Sequence, residues 1–184
     1  MNIERIVLPP KNEVREEFLL PFRTRPVHIS QGYNGPYSHF AYKRGEGIFA
    51  LTEDYRYAVD FALPFGTEVF AARKGRVFIV VKESKEWYEG IDIERGLEVR
   101  SNFVILQHQG SASLYSHLKG ESISVQTGQT TNQGTLLGRT GKSGWIGLVP
   151  HLHFAVLNTT VKGIEGALPI RFSDYSGPLE HNQL

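Results

Sequence analysis

Two histidines separated by one residue are the first feature of the sequence that could do chemistry. His151 and His153 flank Leu152 in the run PHLHF. Side chains two residues apart on a β-strand point to the same face, so both imidazoles would enter one site while Leu152 turned toward the core. Imidazole binds metals and serves as a general base. The motif is also found in unrelated surface histidine pairs, so a site here needs support from other residues.

A lone carboxylate lies in the apolar run YAVDF, at Asp60. Strand alternation places Ala58, Asp60 and Ala62 on one face, opposite Val59 and Phe61. Burying a carboxylate alone is costly, so Asp60 is either exposed to solvent on its face or paired with a positive charge. It is therefore a candidate partner for a cation, with an exposed surface carboxylate as the alternative.

Two further histidines stand beside small polar residues. His117 ends the run SLYSH, and strand alternation predicts that Ser113, Tyr115 and His117 share one face. His39 follows Ser38, directly after the turn cluster QGYNGP. Together with the HxH pair, these histidines make a site with several imidazoles the main hypothesis.

The composition restricts the chemistry of such a site. The 184 residues include no cysteine, which excludes disulfides, thiolate-bound zinc, iron–sulfur clusters and thiol nucleophiles. A metal site must then be built from His, Asp and Glu, and two His with one carboxylate can hold zinc while a fourth position stays open for water. The chain has no HExxH motif to supply a glutamate base, so the remaining histidines are the candidate bases. Non-haem iron oxygenases use a similar donor set, but they usually show a local His-x-Asp/Glu pair, which this sequence lacks.

The charge balance and the lengths of the apolar runs indicate whether the chain binds nucleic acid or crosses a membrane. Lys and Arg number 20 and Asp and Glu 19, giving a net charge of +1, so we expect no nucleic-acid partner. The longest apolar runs, such as 77–81, are strand-sized and fall well short of the roughly 20 residues of a membrane span. No signal peptide is visible, since residues 1–10 lack an apolar core. A cytoplasmic protein and one whose signal has been removed both remain open.

The elements that would position these side chains are strands. Apolar runs bounded by turn residues predict strands over 67–72, 76–82, 102–108, 112–118 and 151–157. No stretch of twelve or more residues has a helical period. The charged insertion 83–100 is predicted to be an extended hairpin or loop. The sequence thus predicts one all-β domain over 27–184, preceded by an irregular, proline-rich N-terminal arm over 1–26 that packs on the domain edge.

Taken jointly, the motifs resemble those of the M23 family of zinc metallopeptidases, the lysostaphin and LytM-like enzymes. The matching segments between Gln31 and Phe154 include, in order, QGYNG, YAVDF, LYSHL, GTLLGRTG and PHLHF. The resemblance implies mainly antiparallel sheets around a narrow groove, one Zn²⁺ per chain, and hydrolysis of peptide bonds in bacterial cell-wall peptidoglycan. It also implies a place in the cell envelope, either periplasmic or extracellular.

Carried over position by position, the resemblance assigns Asp60 and His153 as metal ligands. It assigns His117 and His151 as two catalytic histidines that do not bind the metal. We expect His151 to be the general base, and His117 to hydrogen-bond the reacting oxygen or orient the water, although the two roles could be exchanged.

The first histidine ligand is where the sequence departs from the commonest family pattern. Many members carry a histidine four residues before the aspartate, where this chain has Arg56, which cannot bind a cation. A branch of the family looks as if it supplies this ligand from a Ser-His after QGYNG, which points to His39, with His28 as the alternative. The longer loop between His39 and Asp60 costs little free energy. The departure at Arg56 also favours a second hypothesis, a catalytically inactive M23-like module that binds the cell wall or activates other wall enzymes.

Five other residues carry weaker expectations. Asn102 is interpreted as a structural residue at the start of a strand, and Tyr115 as a member of a cross-strand aromatic pair rather than an oxyanion donor. Trp145, in the glycine-rich loop before the HxH motif, is a candidate lining residue of the groove. His108 and His181 are expected to be structural or surface residues.

Overall fold

The regular structure of the chain is almost entirely β-strand. The computed structural model describes residues 18–33, 39, 56–85, 100–160 and 163–180, and among these no α-helix is found. A 3₁₀ turn covers Gly120–Ser122. The strands are β1 (Ile29–Gln31), β2 (Val59–Ala62), β3 (Glu68–Phe70), β4 (Gly75–Val81), β5 (Phe103–Gln107), β6 (Ser111–Ser116), β7 (Thr130–Thr131), β8 (Leu136–Arg139), β9 (His151–Thr160) and β10 (Gly163–Ala167). The predicted all-β class is confirmed.

A large antiparallel sheet holds most of the strands. Its order is β1-β2-β9-β6-β5-β4-β7, with β10 paired to β9, while β3 and β8 form a separate two-stranded sheet. The five strands predicted from apolar runs occur within a few residues of their predicted bounds. The sequence analysis did not predict β10, whose sequence GIEGA contains two glycines and therefore has a weak strand signal.

Both faces of the large sheet bury apolar side chains. One face packs into the main core, which includes Val59, Phe61, Leu152, Phe154 and Tyr115. The other face carries a second buried cluster that includes Ala58, Ile105, Leu114, Ala155 and Leu157. Alternation along β2 and β9 therefore places Asp60 and both histidines of the HxH motif on the face of the second cluster.

The described part of the N-terminal arm packs into the main core. Phe18, Leu20 and Phe22 are at most 5% exposed. The Leu20 N–H donates to Oδ1 of Asp174 at 2.8 Å, which ties the arm to a segment near the C-terminus. A division into an arm over 1–26 and a domain over 27–184 stays a prediction.

Two further expectations concern the insertion and membrane helices. Residues 86–99 of the predicted insertion lie outside the described residues. In the described part of the chain, no helix has the length and apolar character that a membrane crossing requires.

Candidate active site

The pairing of β2 with β9 brings the carboxylate and the HxH histidines together. The antiparallel register sets Asp60 opposite His153 and Phe61 opposite Leu152. Phe61 and Leu152 are fully buried in the main core, so Asp60 and His153 point to the other face, and His151 joins them two residues along β9. Alternation thus accounts for the face that each of these three residues occupies, and the register of β2 and β9 brings them together.

Asp60 is buried at the centre of a ring of imidazoles. Its Oδ1 lies 2.9 Å from Nδ1 of His153, and its Oδ2 lies 3.3 Å from Nε2 of His39 and 3.5 Å from Nε2 of His151. Burial alone would raise the pKa of Asp60, but the charges of His151 and His39 and the hydrogen bond from His153 hold this pKa well below its usual range.

The donor set fits a zinc ion. His39, Asp60 and His153 each offer one ligand atom, and these atoms lie within 4.8 Å of one another. Ligand atoms at zinc distances of about 2.0–2.2 Å in a tetrahedron are roughly 3.3 Å apart, close to the separation between His39 and Asp60. His28, the alternative ligand, is not part of this group, and its carbonyl instead accepts the Ala62 N–H.

The tautomer of His151 also favours a cation or a mobile proton at this site. Its Nδ1 donates to the Val149 carbonyl at 2.7 Å, which leaves Nε2 of the neutral ring as an acceptor. That acceptor faces the carboxylate oxygen Oδ2 of Asp60 at 3.5 Å. Two hydrogen-bond acceptors that face each other in a buried site repel, and a positive charge or a proton between them removes that repulsion.

His117 is the second imidazole beside the candidate metal ligands. Its ring centroid lies 4.7 Å from that of His151 and 6.0 Å from that of His153. Burial lowers the pKa of His117 to about 3, and charge on His151 or His153 acts in the same direction. His117 is therefore neutral near pH 7.

The sequence around this site matches a known peptidase family. The model of "Peptidase family M23" matches residues 54–163. The chain belongs to peptidase family M23. The match includes Asp60, His117, His151 and His153, whereas His39 precedes it, and it confirms the family resemblance. No curated protein matches the sequence significantly.

Solved structures share the fold of this M23 chain. A zinc-containing peptidase from Vibrio cholerae has 24% identity and a TM-score of 0.51, over 78% of this chain and 37% of that one. The catalytic domain of the prophage-encoded M23 protein EnpA from Enterococcus faecalis, solved as a point mutant, has 20% identity and a TM-score of 0.51, over 82% and 94%. Csd3 of Helicobacter pylori has 21% identity and a TM-score of 0.50, over 88% and 38%. At these low sequence identities, the similarity shows a shared fold only.

The groove of the M23 fold contains all five candidate residues. His39, Asp60, His117, His151 and His153 line a cavity of about 410 Å³. Strand β1 contributes two polar lining residues, and the segment 145–149, which includes Trp145, contributes mostly apolar ones. Leu148 in that segment is 79% exposed.

The prediction that His117 shares a face with Tyr115 is wrong. Tyr115 lies in the main core, its ring centroid is 5.3 Å from that of Phe154, and the two residues are paired across β6 and β9. The expected cross-strand aromatic pair is therefore present. Strand β6 ends at Ser116, and His117 has a φ of 62°, so alternation stops and its ring lies beside His151 instead.

The remaining polar candidates have structural partners. Asn102 is fully buried, accepts the Ser84 N–H at 2.8 Å and donates to the Ser84 carbonyl at 3.0 Å. His108 lies between the Lys74 carbonyl and the Ser113 hydroxyl, each 2.9 Å away. His181 lies outside the described residues.

Sequence reasoning missed the residues that hold His117. Ser101 and Ser143 both contact it, and neither belongs to a run with strand alternation that points at the groove. The signal available in the sequence was the turn GKSG, which precedes the groove segment.

Proposed function

We propose that the chain is a zinc-dependent endopeptidase that hydrolyses peptide bonds in bacterial cell-wall peptidoglycan. The observation that carries this proposal is the set of three potential ligand atoms, from His39, Asp60 and His153, that converge beside two further imidazoles in the groove of an M23 member.

In this proposal His39, Asp60 and His153 hold the metal. A zinc ion bound by these residues would polarise the scissile carbonyl and lower the pKa of the attacking water. The buried Asp60 supplies the negative charge that a divalent cation requires, because its pKa is held far below neutrality. The β2–β9 register fixes Asp60 against His153, so these two ligands need little rearrangement on binding.

His151 and His117 act on the protons of the reaction. Each ring has its Nδ1 beside a backbone carbonyl, that of Val149 at 2.7 Å and that of Ser143 at 2.8 Å. Each neutral ring therefore presents Nε2 as an acceptor. We assign His151 as the general base, because it is the nearer of the two to Asp60, whose negative charge stabilises the imidazolium formed on protonation. His117 orients the attacking water by accepting its second proton in a hydrogen bond.

The shape of the groove suits an extended peptide. Polar residues of β1 and the mostly apolar segment 145–149 both line it, so a bound chain would meet hydrogen-bonding groups and apolar contacts together. A peptidoglycan substrate places the working protein in the cell envelope, and this localisation belongs to the same proposal.

Zinc content and digestion of purified peptidoglycan test the proposal. We expect about one zinc per chain, lost in His39→Ala and retained in the control His28→Ala. We expect the wild type to release new muropeptides, identified by mass, and His151→Ala to release none while keeping its zinc. The masses also identify the bond that is cut.

The inactive module is the alternative, and Arg56 is the feature that favours it. That alternative predicts far less than one zinc per chain and no muropeptide release by the wild type. Sedimentation of the protein with insoluble cell wall would then identify a binding role. Zinc without any muropeptide release would also contradict the proposed activity.

A further inference from the structure

The backbone of His117 is unusual and is held from outside its own strand. Among the described residues it is the non-glycine residue with a positive φ, at 62°. Its N–H donates to Oγ of Ser101 at 2.9 Å, and its carbonyl accepts the Gly141 N–H at 2.7 Å. Left-handed backbone is disfavoured for residues with a Cβ, and it persists where the surroundings enforce it. These two hydrogen bonds replace the ladder bonds that β6 would otherwise supply.

Ser143 connects the chain on both sides of His117. Its buried hydroxyl accepts the Asn102 N–H at 2.9 Å and donates to the Leu118 carbonyl at 2.9 Å. The Leu118 N–H in turn donates to the Asn102 carbonyl at 3.1 Å. The residue before β5 and the residue after His117 are thus fixed to one hydroxyl, which also fixes the backbone of residue 143.

The carbonyl of Ser143 determines which nitrogen of His117 carries the proton. It lies 2.8 Å from Nδ1 of His117. A carbonyl oxygen only accepts, so this contact is favourable when Nδ1 bears the hydrogen and unfavourable when Nε2 bears it. The Ser101 hydroxyl lies 3.4 Å from the same Nδ1, too far to reverse this preference by donating to it.

We propose that Ser101 and Ser143 are positioning residues that hold His117 in its left-handed conformation and in the Nδ1–H tautomer, so that Nε2 faces the groove. The catalytic consequence rests on the proposed function, whereas the conformation and the tautomer can be measured without it. An alternative is that both hydroxyls merely join neighbouring segments, as many buried serines do.

Ser122, which is half-buried, provides a control for the hydrogen-bond pattern of the fully buried Ser143. Its hydroxyl accepts the Arg139 N–H at 2.8 Å and donates to the Lys119 carbonyl at 2.6 Å, the same pattern of one accepted and one donated backbone bond. Ser122 does not line the groove. Ser122→Ala therefore reports the cost of losing such a hydroxyl where no catalytic imidazole depends on it.

The test measures the ring nitrogens of His117 by NMR and the kinetics on peptidoglycan. Long-range ¹H–¹⁵N spectra of labelled protein, zinc-loaded and chelator-treated, show which ring nitrogen is protonated, and His117→Gln identifies the signals. For the wild type we expect a protonated Nδ1 and a bare Nε2. Ser143→Ala should mix the tautomers and lower kcat about tenfold with little change in KM. Ser143→Thr, which keeps a hydroxyl, should restore both, and Ser122→Ala should change neither.

The outcomes separate the two proposals. A wild-type His117 protonated on Nε2, or Ser143→Ala with the ring signals and kcat of the wild type, would overturn the positioning role. A kcat loss that is equal in Ser143→Ala and Ser122→Ala would also overturn it. A wild type that cuts no peptidoglycan contradicts the proposed function alone, because the ring signals still decide the tautomer. Should Ser143→Ala not fold, Ser101→Ala is judged by the same signals and kinetics, and wild-type values there would reject the proposal.

Discussion

Replacing Gly144 by alanine tests how tightly the turn after Ser143 packs on His117. Gly144 has a φ of 76°, and a Cβ there would lie 2.9 Å from Cβ of Ser101 and 3.2 Å from Nδ1 of His117. Gly134 has a φ of 80° and nothing within 4 Å of the same added atom. The two glycines therefore share a backbone conformation and differ in what surrounds it.

The expected magnitudes follow from that difference. A residue with a Cβ in the left-handed region costs about 1 kcal/mol, so Gly134→Ala should lose about that much free energy of unfolding. Gly144→Ala carries the same cost together with an overlap against Cβ of Ser101, which is anchored to the backbone and cannot rotate away. Overpacking of this kind adds roughly 1–3 kcal/mol. We expect Gly144→Ala to be the more destabilised variant by that margin.

Urea unfolding of the chelator-treated variants measures the difference, with equal m-values required for the comparison. Activity provides the second measurement: Gly144→Ala should lose peptidoglycan hydrolysis through displacement of His117, and Gly134→Ala should keep it. Equal losses of stability in the two variants would refute close packing of the turn on the imidazole. Full activity in Gly144→Ala would refute its coupling to His117.

Three other predictions concern the ion, the pH dependence and the groove. Zinc at a hundred times its Kd should stabilise the wild type by about 2.7 kcal/mol in thermal or urea unfolding, an effect absent in Asp60→Asn. The pKa of His117 is lowered in the folded chain, so its contribution to stability is complete above the unfolded value of about 6.5 and is lost as the pH falls. Between pH 6.5 and 5, the free energy of unfolding of the chelator-treated wild type should therefore fall by up to roughly 2 kcal/mol more than that of His117→Gln. Urea unfolding at each pH measures this difference, and solvent screening reduces its size. Leu148 is 79% exposed in the groove lining, so Leu148→Ser should leave stability unchanged and raise KM for peptidoglycan by up to roughly tenfold, and an unchanged KM would exclude a substrate contact there.

Alternation along two strands correctly separated the side chains of the candidate site from those of the core, whereas the pairing of the two strands came from the structure. The pattern of β2 and β9 places Val59, Phe61 and Leu152 in the core and leaves Asp60 with both HxH histidines on the other face. This works because a strand buried on both faces still separates its residues by period two.

His117 shows where such reasoning fails. Alternation assumes that the strand continues, but β6 ends at Ser116 because the backbone groups of His117 bond to Ser101 and Gly141. Those partners are distant in sequence, and no local sequence pattern predicts them. The candidate ligand His39 likewise came from family resemblance, since spacing alone could not bring residue 39 to Asp60.

The hydrogen bond between Asp60 and His153 joins residues 93 positions apart in the chain. A slip of one residue between β2 and β9 would send Asp60 and the histidine pair to opposite sides of the sheet. With the proposed ligand set, a chain in the wrong register cannot capture the ion, and a growing chain cannot capture it before residue 153 has emerged from the ribosome. Zinc uptake would then report the correct pairing of β2 with β9, and a refolding experiment could use it to time that pairing.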